Sequence, residues 1–445
     1  MKKLSIIAVA VSASLFTMSA HAAKPTEDGW SVNGYGHLKY DLMESHDLSS
    51  TWAHRRDYRA AGAAFSGNPN QVEFTVKKSS LYENGAWANY VLKTEYGNNE
   101  GGNGDVYYGS SGGNEGHLES GQLEFKEAYV ELGGLASLPD DAAIWTGRRY
   151  LNREAGIITK EYWKQSSGVG AGIEKGKFGF AVLSADAGDG YCDDGGETVN
   201  GRNCKDAADG SHTTLTTFDA YLYGVEALGG SFNFDAKYMT RVNTDDMSDD
   251  AAEDGVGLGI TYKRDFYGFD GWSTTGVTYG KGIAGTKGVN FGSWSGDWNK
   301  EDRSLFITSY GVAEVNDKVQ IGTEFVYWNL ENQDGGQIWG TDELTRVFIG
   351  ATPSYKVNDN FRLEATFTYS IEDVGEDGTW SREDAATSFA SATIAPVFTV
   401  NADYWGRPQI KPYLTYMTSS DDNYKWGSDA KGDETRVGIE AEIWF

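Results

Sequence analysis

Arg436-Val437-Gly438-Ile439-Glu440-Ala441-Glu442-Ile443-Trp444-Phe445 is the stretch from which the fold is read. In an extended strand successive side chains point to opposite faces. Val437, Ile439, Ala441, Ile443 and Phe445 therefore share one face, and Arg436, Gly438, Glu440, Glu442 and Trp444 share the other. The first face suits lipid and the second suits water. A spanning barrel needs that division in every strand, because hydrocarbon offers the backbone no hydrogen-bond partner and only a closed sheet supplies its own.

The pattern recurs upstream. Val319, Ile321, Thr323, Phe325 and Tyr327 oppose Gln320, Gly322, Glu324, Val326 and Trp328, and Phe361, Leu363, Ala365, Phe367 and Tyr369 oppose Arg362, Glu364, Thr366 and Thr368. Both runs follow similar tight-turn sequences, residues 315–318 and 357–360, expected to be short periplasmic turns. Asp- and Gly-rich stretches over residues 96–121, 188–210, 243–255 and 329–340 are expected to be extracellular loops.

Composition agrees with many strands joined by turns: 57 Gly, 26 Tyr, 20 Phe and 14 Trp stand against 7 Pro and 2 Cys. Mean hydropathy is −0.50, and beyond the first twenty or so residues no run is long and apolar enough for a spanning helix. Met1-Lys2-Lys3, an apolar run from Leu4 to Met18, and Ala20-His21-Ala22 predict a secretory signal cleaved after Ala22. Residues 23–445 then form one domain, an all-β transmembrane antiparallel barrel of about 16 to 18 strands.

A net charge of −27 from 65 Asp and Glu excludes a nucleic-acid partner, which needs a basic footprint, and fits solvated acidic loops. Cys192 and Cys204, in a segment crowded with Asp and Gly, are expected to form one disulfide stapling a surface loop; with only His212 nearby, a metal site is not expected there. The sequence contains no H-E-x-x-H pair. Neither enzyme activity, metal nor cofactor is expected.

Residues Phe125–Leu135, Ile144–Arg153, Glu161–Trp163 and Gly168–Glu174, in that order and spacing, resemble the maltoporin family of carbohydrate porins. Val32–Gly36, Gly350–Lys356 and the ending Glu442–Phe445 support the resemblance, and a terminal Phe is similar to the export signal of bacterial outer-membrane barrels. The resemblance implies 18 strands, a homotrimer in outer-membrane lipid and lipopolysaccharide, an inward-folded constriction loop, and an oligosaccharide solute. It leaves open whether phages use the loops as receptors.

What the resemblance implies for residues is as follows. Tyr35, Trp272 and Trp444 belong to an aromatic sugar path; alternation independently turns Trp444 toward the polar face. The constriction loop falls between Arg153 and Gly168, with Arg153 as a basic contact and Tyr162 as the aromatic that narrows the opening. Ala155 and Lys160 replace two acidic positions, and Arg346 and Val347 replace a tryptophan pair. With Lys126, Arg149, Arg153 and Lys160 nearby, the eyelet is either net basic, favouring anions or charged sugars, or internally paired with Glu127, Glu154 or Glu161.

Overall fold

Alternation of the kind just read, repeated in strand after strand, produces in the computed structural model a single antiparallel sheet closed on itself. The structure describes residues 24–43, 71–98, 121–186, 214–241, 252–291, 299–331, 343–374, 386–420 and 433–445. In chain order the strands are β1 (Gly29–Met43), β2 (Gln71–Leu81), β3 (Trp87–Asn98), β4 (Gly121–Gly133), β5 (Ala142–Ala155), β6 (Tyr162–Lys175), β7 (Phe178–Asp186), β8 (Thr214–Ala227), β9 (Gly230–Arg241) and β10 (Asp254–Phe266). They continue with β11 (Phe269–Gly282), β12 (Asn290–Phe291), β13 (Arg303–Asn316), β14 (Val319–Glu331), β15 (Leu344–Asn358), β16 (Phe361–Val374), β17 (Ala386–Thr399), β18 (Gln409–Ser419) and β19 (Asp433–Trp444).

Every strand except the two-residue β12 belongs to the wall, so the described barrel has 18 strands. Each wall strand pairs with its sequence neighbours, and β1 closes the ring on β19 with Tyr35 opposite Trp444. A closed ring has no edge strand, which removes the unpaired backbone groups that lipid could not satisfy.

The faces fall as the sequence divides them. On β19, Val437, Ile439 and Ile443 are exposed outward, whereas Arg436, Glu440 and Glu442 are buried in the interior. On β10, Val256, Leu258 and Ile260 face outward and Gly255, Gly257 and Gly259 face in.

Connections alternate in length. Asp317-Lys318 and Asp359-Asn360 turn within two residues, shaped by Asn316 Oδ1 accepting from the Lys318 and Val319 N–H groups, and by Asn358 Oδ1 accepting from Asn360 N–H. Of the acidic stretches expected as loops, residues 96–98, 121, 254–255 and 329–331 prove to be strand ends, and residues 99–120, 188–210, 243–251 and 332–340 lie outside the described residues. Short turns mark the periplasmic end of such barrels. Residues 1–22, Cys192 and Cys204 lie outside the described residues, so the expected signal and disulfide do as well.

A tethered hairpin in the lumen as the candidate functional site

The β5–β6 hairpin does not stay in the wall. Its register shifts between Leu151 and Glu154 and again before Ala155, and Asn152 and Lys160 both take left-handed backbone conformations (φ 56° and 53°). These irregularities bend the tip inward, as bulges do. What sequence reading treats as a loop from Arg153 to Gly168 is therefore mostly strand, with only residues 156–161 as connection.

The tip is held from across the barrel. Glu324, inward on β14, accepts from Ile158 N–H at 2.5 Å, Thr159 N–H at 3.1 Å and the Thr159 hydroxyl at 2.5 Å. Glu154 meets Lys263 of β10 at 3.0 Å and accepts from the Tyr310 hydroxyl of β13 at 3.4 Å. A second inward segment, between β11 and β13, also braces the hairpin. Lys287 pairs with Glu161 at 2.7 Å, Asn290 Nδ2 donates to Tyr162 O at 2.8 Å, and β12 lies parallel to Gln165-Ser166. That segment fits flat on the wall because inward Gly257 and Gly280 have no side chain: a Cβ on either would stand 1.9 Å from a backbone oxygen of Gly288 or Ala284.

These struts fill one side of the barrel. Ile158, Trp163, Val289, Phe306, Trp328 and Phe348 form a packed cluster between hairpin and wall. Inward charges on that side are sealed: the side chains of Lys164 and Asp235 keep 1% and 3% exposure in a 2.5 Å pair. On the other side, Glu95 of β3, Lys126 of β4 and Lys411 of β18 keep 22%, 20% and 21%. The open lumen therefore lies toward β3, β4 and β18, while His37, Lys39, Glu440 and Glu442 on β1 and β19 are buried.

The residues singled out from sequence distribute around this opening. Tyr162 is 39% exposed, with the Arg153 guanidinium over its ring at 3.7 Å and over Tyr150 at 4.7 Å. Tyr35 is half-buried beside Tyr162, its hydroxyl 3.5 Å from Glu442. Trp444 is inward and half-buried, with Arg407 over its ring at 4.6 Å. Trp272 is also inward but lies away from these three, against Tyr310 and Trp405.

The charges are largely paired: Glu127 lies within electrostatic reach of Arg149 and Arg153, and closer partners come from elsewhere. Lys126 lies 3.7 Å from Glu95; Arg149 lies 3.2 Å from Glu131 and 3.7 Å from Glu174, between the rings of Tyr129 and Trp145. Lys160 differs, its side chain 45% exposed and its ammonium 3.9 Å from Glu440. Arg346, standing where an aromatic was expected, is buried in an ion pair with Glu372.

Sequence reading missed Glu324, Lys287 and the Tyr404–Arg407 turn. Glu324 carried one available signal, a carboxylate on the inward side of an alternating strand, but nothing local named its partner.

A closed wall with a strutted inner hairpin is the geometry of a channel. A family model described as LamB porin matches residues 67–445. The chain belongs to the LamB porin family. It is 25% identical over 465 residues to a maltoporin of Vibrio cholerae serotype O1, covering 100% of both chains. It is 22% identical over 449 residues to a maltoporin of Hahella chejuensis, covering 100% of this chain and 98% of that one. Among solved structures, an outer-membrane protein of Vibrio cholerae, OmpT lacking loop L8, covers 94% of this chain at 11% identity and a TM-score of 0.41. As a LamB porin the chain is an outer-membrane channel protein and not an enzyme. In this LamB porin the hairpin lies inside the barrel wall.

Proposed function

We propose that this porin passes linear neutral oligosaccharides of the maltodextrin class, whose rings move over Tyr162, Tyr35 and Trp444 while nearby charged side chains exchange hydrogen bonds with the hydroxyls. The observation that carries the reading is Tyr162, an exposed aromatic held on a tethered hairpin beside Tyr35 in the open part of the lumen. A pyranose has apolar C–H faces that pack on aromatic rings, and hydroxyls that must keep hydrogen bonds on leaving water. Glu442, Glu440, Lys160 and Arg407 stand beside those rings. Conduction requires weak binding, and a millimolar site is worth about −4 kcal/mol, within reach of one or two stacked rings and a few hydrogen bonds.

The test is single-channel current in a planar bilayer titrated with maltotriose. Saturable block in the millimolar range is expected, and Tyr162→Ala should weaken the block and raise conductance. A wild-type channel that maltotriose does not block refutes the reading.

A second reading, a solute bearing carboxylate or phosphate, is favoured by Lys160 alone, the exposed cation of the hairpin tip. Anion selectivity without neutral-sugar block would support it. We extend the proposal to a homotrimer, to export with removal of residues 1–22, and to a Cys192–Cys204 disulfide. Cross-linking of the native band, and intact mass with and without thiol alkylation, test these.

A further inference from the structure

The connection between β5 and β6, residues 156–161, is clamped on both sides of one residue. Glu324 holds the N–H groups of Ile158 and Thr159, and Lys287 holds the Glu161 carboxylate at 2.7 Å. Gly156 N–H donates to Glu161 O at 3.1 Å and closes the tip. Gly156, Ile158, Thr159 and Glu161 are buried and Ile157 is half-buried, so that of the six only Lys160 is exposed. Lys160 also holds a left-handed backbone (φ 53°), a conformation that glycine adopts with less strain. Strain of this kind persists only where the surroundings over-determine the chain, and it collects at binding and switch positions.

What the clamps leave free is the side chain, a flexible four-carbon stem ending in an ammonium. The ammonium lies 3.9 Å from Glu440 Oε1, beyond hydrogen-bond reach, with the lysine side chain 45% exposed. Glu440 does not depend on it. His37 Nε2 lies 3.0 Å from the same oxygen and Lys411 Nζ 3.2 Å from the other, and Glu440 itself is buried. One end of this pair is therefore a fixed carboxylate and the other a movable arm. Glu440 and Glu442 hold successive inward places on β19, and the Tyr35 hydroxyl is 3.5 Å from Glu442. The arm thus crosses from hairpin to wall beside the rings on which sugar is proposed to stack. An exposed pair of this kind favours its closed form by no more than about fivefold, and exposed side chains change rotamer within nanoseconds, so the arm yields readily.

We infer that Lys160 is a swinging bar across the eyelet: resting against Glu440, its ammonium occupies the carboxylate that would accept a sugar hydroxyl, and it swings aside when a pyranose ring enters. Neutral sugar then competes with the protein's own cation, and ionic strength, by weakening the pair, sets how tightly the sugar binds. The inference rests on the sugar-porin reading above and adds regulation by salt to that site.

The experiment records maltotriose block at about 0.1 M and about 1 M KCl, where the Debye length is about 10 Å and about 3 Å, the second shorter than the Lys160–Glu440 separation. Wild type, Lys160→Met, Lys160→Arg and, in parallel, Tyr162→Ala are compared, each first shown to give the heat-modifiable band of a folded barrel, with Lys160→Gln replacing Lys160→Met if that variant does not reach it. Wild-type block should strengthen about two- to fivefold from low to high salt. Lys160→Met should show the stronger block at both salts, and Lys160→Arg, which keeps the charge, should retain the salt dependence. Wild-type block that does not change with salt, or a salt dependence that persists in Lys160→Met, overturns the bar while leaving the sugar porin intact provided Tyr162→Ala weakens block. No block in wild type at either salt overturns both.

Discussion

Glu324→Ala should release the constriction hairpin without unfolding the barrel. The carboxylate is the acceptor for two buried backbone donors, Ile158 N–H at 2.5 Å and Thr159 N–H at 3.1 Å, as well as the Thr159 hydroxyl at 2.5 Å. A buried donor deprived of its acceptor costs about 1–3 kcal/mol, so the two backbone groups alone favour release of the tip by about 2–6 kcal/mol. Even the lower figure shifts the held-to-released ratio by roughly thirtyfold. The wall is spared, because Glu324 keeps its backbone place between Tyr310 and Gly350. Single-channel recording should show higher mean conductance and added open-channel noise as the tip moves in and out of the lumen. Glu324→Gln, which retains one amide oxygen as acceptor, should fall between the two. A folded Glu324→Ala channel with wild-type conductance and noise would refute the reasoning, and would mean that the Glu161–Lys287 and Glu154–Lys263 struts hold the hairpin unaided.

Lys287→Met leaves the buried Glu161 carboxylate without the cation now 2.7 Å away, a loss of about 3–5 kcal/mol when one partner of a buried pair is removed. Amide hydrogen exchange over residues 156–165 should accelerate while the wall strands stay protected. Lys160→Glu reverses the exposed charge of the hairpin tip, whose side chain is 45% accessible, and should move the zero-current potential in a salt gradient toward cation selectivity. Ile439→Arg places a charge on the outward face at the middle of β19, where an arginine near the bilayer midplane costs about 2–4 kcal/mol. The fraction of chain reaching the heat-modifiable folded band should fall.

The wall was legible because its governing rule is local. Side chains alternate with a period of two, so the lipid or lumen side of Val437, Phe325 or Leu363 follows from neighbours one residue away, and the structure places all three outward. Turns were legible for the same reason at Asn316 and Asn358, whose side chains cap their own backbones. Strand number was not a local property. Composition is compatible with 16 or 18, and only the resemblance chose between them.

The lumen obeys a different rule, and that is why the sequence leaves its charges open between a basic eyelet and internal pairing. Lys126, Arg149, Arg153 and Lys160 stand close in the chain, which invites a sum, yet each charge is settled by a partner reached through the fold: Glu95 on the neighbouring strand, Glu131 and Glu174 on the two strands flanking β5, the rings of Tyr150 and Tyr162, and Glu440 from the far end of the chain. The two inward turns teach the same lesson in another form. Residues 282–291 and 400–408 are Gly-containing connections that by composition belong outside, and what turns them in is an absence elsewhere, the missing side chains of Gly257, Gly280 and Gly322 on the facing wall. A vacancy on one strand and the segment that fills it are separated by tens of residues in sequence. A reading that scores each segment by its own residues cannot join them, whereas a glycine on the inward face of an otherwise well-patterned strand is a sign that something is to be seated against it.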